Sequence, residues 1–130
     1  MGVDTDIRKG LFDALEDAGI LSISFPNVSF EGEKPYLRVN VLPAPTAPFA
    51  VTTTDIHEGF LQVDVVVKEG EGSIDAFDYV QRILDVFPRN TLITEGTTKI
   101  RIDQLGWPGL AIQQPDGFFI PVSIPYIVLN

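Results

Sequence analysis

The spacing of hydrophobic positions changes period several times along this chain. Over residues 4–19 the apolar side chains Ile7, Leu11, Ala14, Leu15 and Ala18 recur at helical spacing, and Arg8, Lys9, Asp13, Glu16 and Asp17 take the opposite face. Asp4, Thr5 and Asp6 offer capping oxygens and negative charge at the start, and Gly19 is a natural stop, so the segment predicts a helix laid on a sheet. Residues 20–25 suit a short strand that Pro26 and Asn27 interrupt. Residues 36–42 alternate, with Leu37, Val39 and Val41 on one face. Residues 59–68 alternate more clearly: Leu61, Val63, Val65 and Val67 point inward, and Gln62, Asp64 and Lys68 point out.

A second helix is expected from Ser73, an N-cap followed by Asp75, to about Phe87, because Pro88 cannot continue it. Its apolar stripe reads Ile74, Phe77, Val80, Leu84 and Phe87. Strands follow over residues 91–94, 98–103 and 117–129. The order is helix, three strands, helix, three strands. It lacks the regular alternation that builds a parallel sheet, so the expected class is α+β, with a mainly antiparallel sheet and two helices packed on it. At 130 residues, with no repeat and no shift in composition, residues 1–130 are expected to form one domain.

Two stretches do not fit a plain monomer. Residues 42–58 join two strands with Pro43, Pro45 and Pro48, and carry no charge before Asp55. Connections beyond about 12–15 residues without their own structure are usually functional or disordered. Both an arm packing on a partner, anchored by Phe49 and Val51, and a loose loop remain open. In the final strand Pro121 and Pro125 stand four apart, so both missing N–H donors fall on one edge, which cannot form a full ladder. That edge is either a protected edge strand or a surface facing a neighbouring subunit.

Composition narrows the function. Eighteen acidic against nine basic residues give a net charge of −9, so a phosphate backbone is repelled on average, although nucleic acid can still pass nearby. The absence of cysteine excludes disulfides, thiolate metal sites and a cysteine nucleophile, and fits a cytoplasmic origin. The first ten residues place no apolar stretch behind their basic ones, and no run approaches the length of a membrane span, so neither a targeting sequence nor membrane contact is expected.

Candidate chemistry is sparse. His57 is the sole histidine and lacks the second histidine, four residues on, that a zincin helix needs; a surface or loop position explains it. No G-x-S-x-G elbow accompanies any serine, and the turn at residues 69–73 lacks a phosphate-loop lysine and carries two glutamates. Asp13, Glu16 and Asp17 lie on a solvated helix face. No catalytic residue, metal site or cofactor is expected. Trp107, in the turn-rich segment around Gly106 and Pro108, suits an interface anchor or a partly buried plug equally.

Several segments resemble a phage family when taken in order: Asn27-Val28-Ser29-Phe30, Lys34-Pro35-Tyr36-Leu37-Arg38-Val39 with Leu42-Pro43-Ala44, Gly59-Phe60-Leu61-Gln62-Val63-Asp64-Val65, Val86-Phe87-Pro88-Arg89 and Pro121-Val122-Ser123-Ile124-Pro125-Tyr126. These are similar to the small tail-terminator or tail-completion proteins of long-tailed bacteriophages, and the likeness spans nearly the whole chain. The resemblance implies a non-enzymatic virion protein, assembled in the host cytoplasm. It would form a homo-oligomeric ring, by analogy a hexamer, on the head-proximal end of the tail tube. The ring would stop tube growth, contact the major tail-tube protein and the head-tail connector, and let DNA pass without specific binding. A head-completion or other neck protein is the alternative, and a small-ligand-binding module a more distant one. The resemblance brings no single functional residue with it. Candidate partner contacts therefore come from composition: Pro45, Thr46, Phe49, Val51, Thr52, Trp107, Pro121 and Pro125.

Overall fold

The computed structural model describes residues 3–26, 28–30, 32–43, 56–68, 73–115 and 117–129. Helix α1 (Val3–Ala18) buries Ile7, Leu11 and Leu15 and ends where Gly19 takes a positive φ of 64° and donates its N–H to the Glu16 carbonyl. Asp6 reaches beyond the helix: its carboxylate accepts the Thr98 hydroxyl at 2.8 Å, pinning the helix to the sheet. Lys9 adds a second tie, pairing with Asp13 and Glu95, whose hydrogen bonds, Asp13's first, raise its ammonium pKa above the ordinary lysine value.

The eight strands are β1 (Ile23–Ser24), β2 (Tyr36–Pro43), β3 (Ile56–Lys68), β4 (Leu92–Glu95), β5 (Thr98–Arg101), β6 (Trp107–Pro108), β7 (Ile112–Gln114) and β8 (Gly117–Leu129). Their order in the sheet is β1-β2-β3-β8-β5-β4, with β6 and β7 also paired to β8. The α+β class holds, and the sheet is mainly antiparallel among the described residues, made mixed by the short β1 running parallel to β2; the correction is that five strands rather than three follow the second helix. β6 and β7 are two and three residues long, too short to show alternation within a glycine- and proline-rich stretch. The strand expected over residues 20–25 shrinks to Ile23–Ser24, while β3 begins at Ile56, three residues early, and so takes His57 out of the expected loop and pairs it with Val128.

Helix α2 (Ser73–Val86) packs Ala76, Val80 and Ile83 inward, with Phe87 just beyond it, while Ile74 is 85% exposed and Phe77 49% exposed. The buried set spans about 60° of arc at 100° per residue; the expected set would have spread over about 140°, wider than one packing face needs. Small Ala76, not Ile74 or Phe77, lets the helix approach the sheet. Both helices lie on one face of the sheet, where Ile7, Leu11, Leu15 and the α2 side chains join the inward residues of β2, β3, β5 and β8 in one core.

The final strand also needs correction. β8 is not an edge strand: all thirteen of its residues pair with β3, from Gly117 against Lys68 to Leu129 against Ile56, and its other side meets β7, β6 and β5 in turn. The prolines explain the uneven second side. The Pro121 carbonyl accepts the Gly109 N–H at 2.6 Å, so its backbone, and that of Pro125 four residues on, faces β5 to β7. Two donors are missing there, and three short strands stand where one long partner cannot.

Candidate partner interface

With both helices on one face, the opposite face of the sheet carries the even-numbered residues of β2 and β3 and the odd-numbered residues of β5 and β8. No helix covers it among the described residues. Three regions can be distinguished across it.

At one side lies a polar knot. Asp64, expected to point into solvent, is only 7% exposed, because its cross-strand neighbour Arg38 closes over it. Arg38 Nε donates to Asp64 Oδ2 at 3.0 Å and its Nη2 lies 3.0 Å from the same oxygen, while Gln62 Nε2 donates to Oδ1 at 3.1 Å. The guanidinium also sits 4.8 Å above the Phe119 ring. A depression of about 330 Å³ borders this knot and the outer side of β2, lined by Ser24, Phe25, Arg38, Asn40 and Gln62 among others. Three of its polar side chains are already engaged: Arg38 and Gln62 hold Asp64, and Asn40 Oδ1 accepts the Val41 N–H at 2.9 Å. The arrangement is a satisfied structural network that fixes the β2–β3 register.

In the middle is an apolar row. Leu42 stands opposite Phe60, Phe60 opposite Pro125, and Trp107 meets Phe60 edge to face at 5.8 Å and 80°. Leu42, Phe60 and Trp107 remain 43%, 38% and 45% exposed, which no packing within the described residues requires. Leu105, Leu110 and Ile112 extend the apolar surface along the segment that carries Trp107. Trp107 is a half-exposed member of a wider apolar patch. Phe60 and Leu42 escaped the sequence reading, although an apolar residue on the outward phase of an alternating strand was a usable signal for each. Of the two prolines, Pro121 is half-buried and Pro125 is buried beside Phe60. Pro45, Thr46, Phe49, Val51 and Thr52 lie outside the described residues, as does the arm expected between β2 and β3.

At the far side the β4–β5 hairpin presents Lys99 and Arg101. Together with Leu92 and Ile127 they line an open depression of about 250 Å³. His57 stands half-buried on β3 opposite Val128; among the described residues there is no group of three or more side chains that could hold a metal ion, and no helix is long and apolar enough to cross a membrane.

The fold is that of a small α+β protein with one sheet face that carries exposed apolar side chains and no helix among the described residues. Residues 6–126 match the family of phage tail terminator proteins, and the chain belongs to that family. It is a structural protein of the virion tail. A solved structure 26% identical in sequence superposes with a TM-score of 0.81, covering 96% of this chain and 94% of the other. No curated protein matches the chain.

Proposed function

We propose that this protein, acting as a single domain without catalytic activity, caps the head-proximal end of the phage tail tube. It forms a homo-oligomeric ring, a hexamer by analogy, that halts tube polymerisation and offers the head-tail connector a surface, in a long-tailed phage assembled in the host cytoplasm. The observation that carries this reading is the tail-terminator family match over residues 6–126, nearly the whole chain. The helix-free sheet face with its exposed Leu42, Phe60 and Trp107 supports it, because a patch of this kind marks protein contact rather than a monomer's surface. Pro121 contributes to that contact through its ring, since β8 offers no free backbone edge. The uncharged connection containing Pro45, Thr46, Phe49, Val51 and Thr52 supplies an arm to the tube or the next subunit, its lack of charge lowering the cost of desolvation on docking. DNA passes the acidic subunit without specific binding.

Electron microscopy of a phage lacking the gene tests the reading. Capping predicts tails grown beyond their normal length and not joined to heads, restored by the wild-type chain. Tails of normal length beside filled heads that cannot accept them would instead identify a head-completion protein.

A further inference from the structure

The β4–β5 hairpin is charged in opposite senses on its two sides. On the face without helices, Lys99 and Arg101 are exposed, and among the described residues neither has an ion-pair partner. They flank an open depression floored by Leu92 and Ile127. On the other face, α1 packs against β4 and β5 through Ile7, Leu11 and Leu15 and turns Asp13, Glu16 and Asp17 to solvent. Gly10 allows the close approach: a Cβ there would stand 2.9 Å from Ile100 Cδ1 and 3.2 Å from Ile93 Cγ2. Asp13 is engaged by Lys9, but neither Glu16 nor Asp17 has an ion-pair partner among the described residues.

We propose that the Lys99–Arg101 surface of one copy docks on the acidic outer face of α1, centred on Glu16 and Asp17, of the next copy. Charge complementarity selects the occupant. In a chain of net charge −9, two unpaired cations on an apolar floor fit a carboxylate-bearing helix, whereas a surface that tracks a phosphate backbone needs a run of cations. The two patches lie on opposite sides of one hairpin, so a single copy cannot bring them together. A twofold contact through either patch would set like charge against like. The contact is therefore head-to-tail, the kind that generates rings when its rotation closes. The inference rests on the proposed ring and adds which surfaces meet in it.

The test is a reciprocal charge exchange in the full chain. One variant carries Lys99→Glu and Arg101→Glu, the other Glu16→Lys and Asp17→Lys; all four side chains are exposed, and circular dichroism verifies the fold. Sedimentation velocity follows the wild type, each variant and their equimolar mixture, alone and with purified tail tubes. The expected result is a wild-type oligomer that weakens with added salt, and in each variant a rise of at least about tenfold in the concentration needed for assembly. The mixture regains assembly, since each variant then offers its partner the opposite charge on both sides. Because the chain has no cysteine, Arg101→Cys combined with Asp17→Cys should also oxidise to a covalent ladder, while either single variant stays monomeric under denaturing conditions.

Variants that assemble like the wild type would overturn the docking while leaving the ring in place. Intact assembly with loss of retention on short duplex DNA would assign the cations to nucleic acid and equally overturn it. A wild-type chain that never assembles, alone or on tubes, would remove the ring and this contact together.

Discussion

Asp64 is the one charged side chain buried among the described residues, and the two members of its pair are unequally placed. Arg38 keeps 39% of its side chain exposed and can turn its guanidinium to water; Asp64, at 10%, cannot. Arg38→Ala should therefore cost about 2–3 kcal/mol by leaving a buried carboxylate with only Gln62, and Asp64→Ala about 1 kcal/mol. Urea unfolding of both variants checks the order, and equal costs would contradict the account. Gly59 is constrained differently. A Cβ there would collide with the Leu42 carbonyl oxygen and lie 2.8 Å from Pro43 Cα, both backbone atoms that cannot swing aside. Gly59→Ala should force β2 from β3 and lower stability by about 2–4 kcal/mol in thermal unfolding, while Gly19→Ala, with open space around it, should cost only the strain of its positive φ, about 1 kcal/mol. At this scale the sequence was half legible. Alternation placed Asp64 opposite the core correctly, but its burial depends on Arg38 standing directly across the strand pair, a register that no single segment encodes.

The two helices separate what periodicity can and cannot settle. α1 was readable because its stripe and its charges fall on opposite faces. α2 carries more apolar residues than one face holds, so the sheet chooses among them, and it takes the narrow arc with Ala76 and Ile83. Ile83→Ala should accordingly cost about 2–5 kcal/mol and Ile74→Ala less than about 0.5 kcal/mol, measured by denaturant unfolding. A large loss from Ile74→Ala would mean that α2 is rotated from the position described. For β8, the two prolines truthfully marked a side that cannot carry a full ladder. They said nothing of three short strands sharing that side, because β6 and β7 are fixed by contact with β8 and not by their own pattern.

Over the described residues, one face of the sheet is closed by helices with acidic outer surfaces, and the other carries no helix but a partly covered surface, with an apolar centre and cations at its β5 side. The family was legible from segments spread along the chain, because three of them fall on β2, β3 and β8, the strands at the centre of the sheet. Of the proposed contact surface, Trp107 and Pro121 were named from the sequence, whereas Phe60, Leu42, Lys99 and Arg101 come onto one face only once distant strands pair. Removing the apolar centre with Phe60→Ala and Trp107→Ala should leave a folded chain, because both side chains are already well exposed, yet weaken its binding to tail tubes by about tenfold or more in a co-sedimentation assay. Replacing residues 44–54 with an Asn-Gly turn should likewise leave a folded chain that fails to limit tail length. The most direct measurement is the length of tubes grown from purified tail-tube protein in the presence of this chain. Capping predicts that growth stops when only about one ring's worth of chain is present per tube, with the chain found at one end. Tubes that reach their usual length, or that carry the chain along their sides, would contradict it.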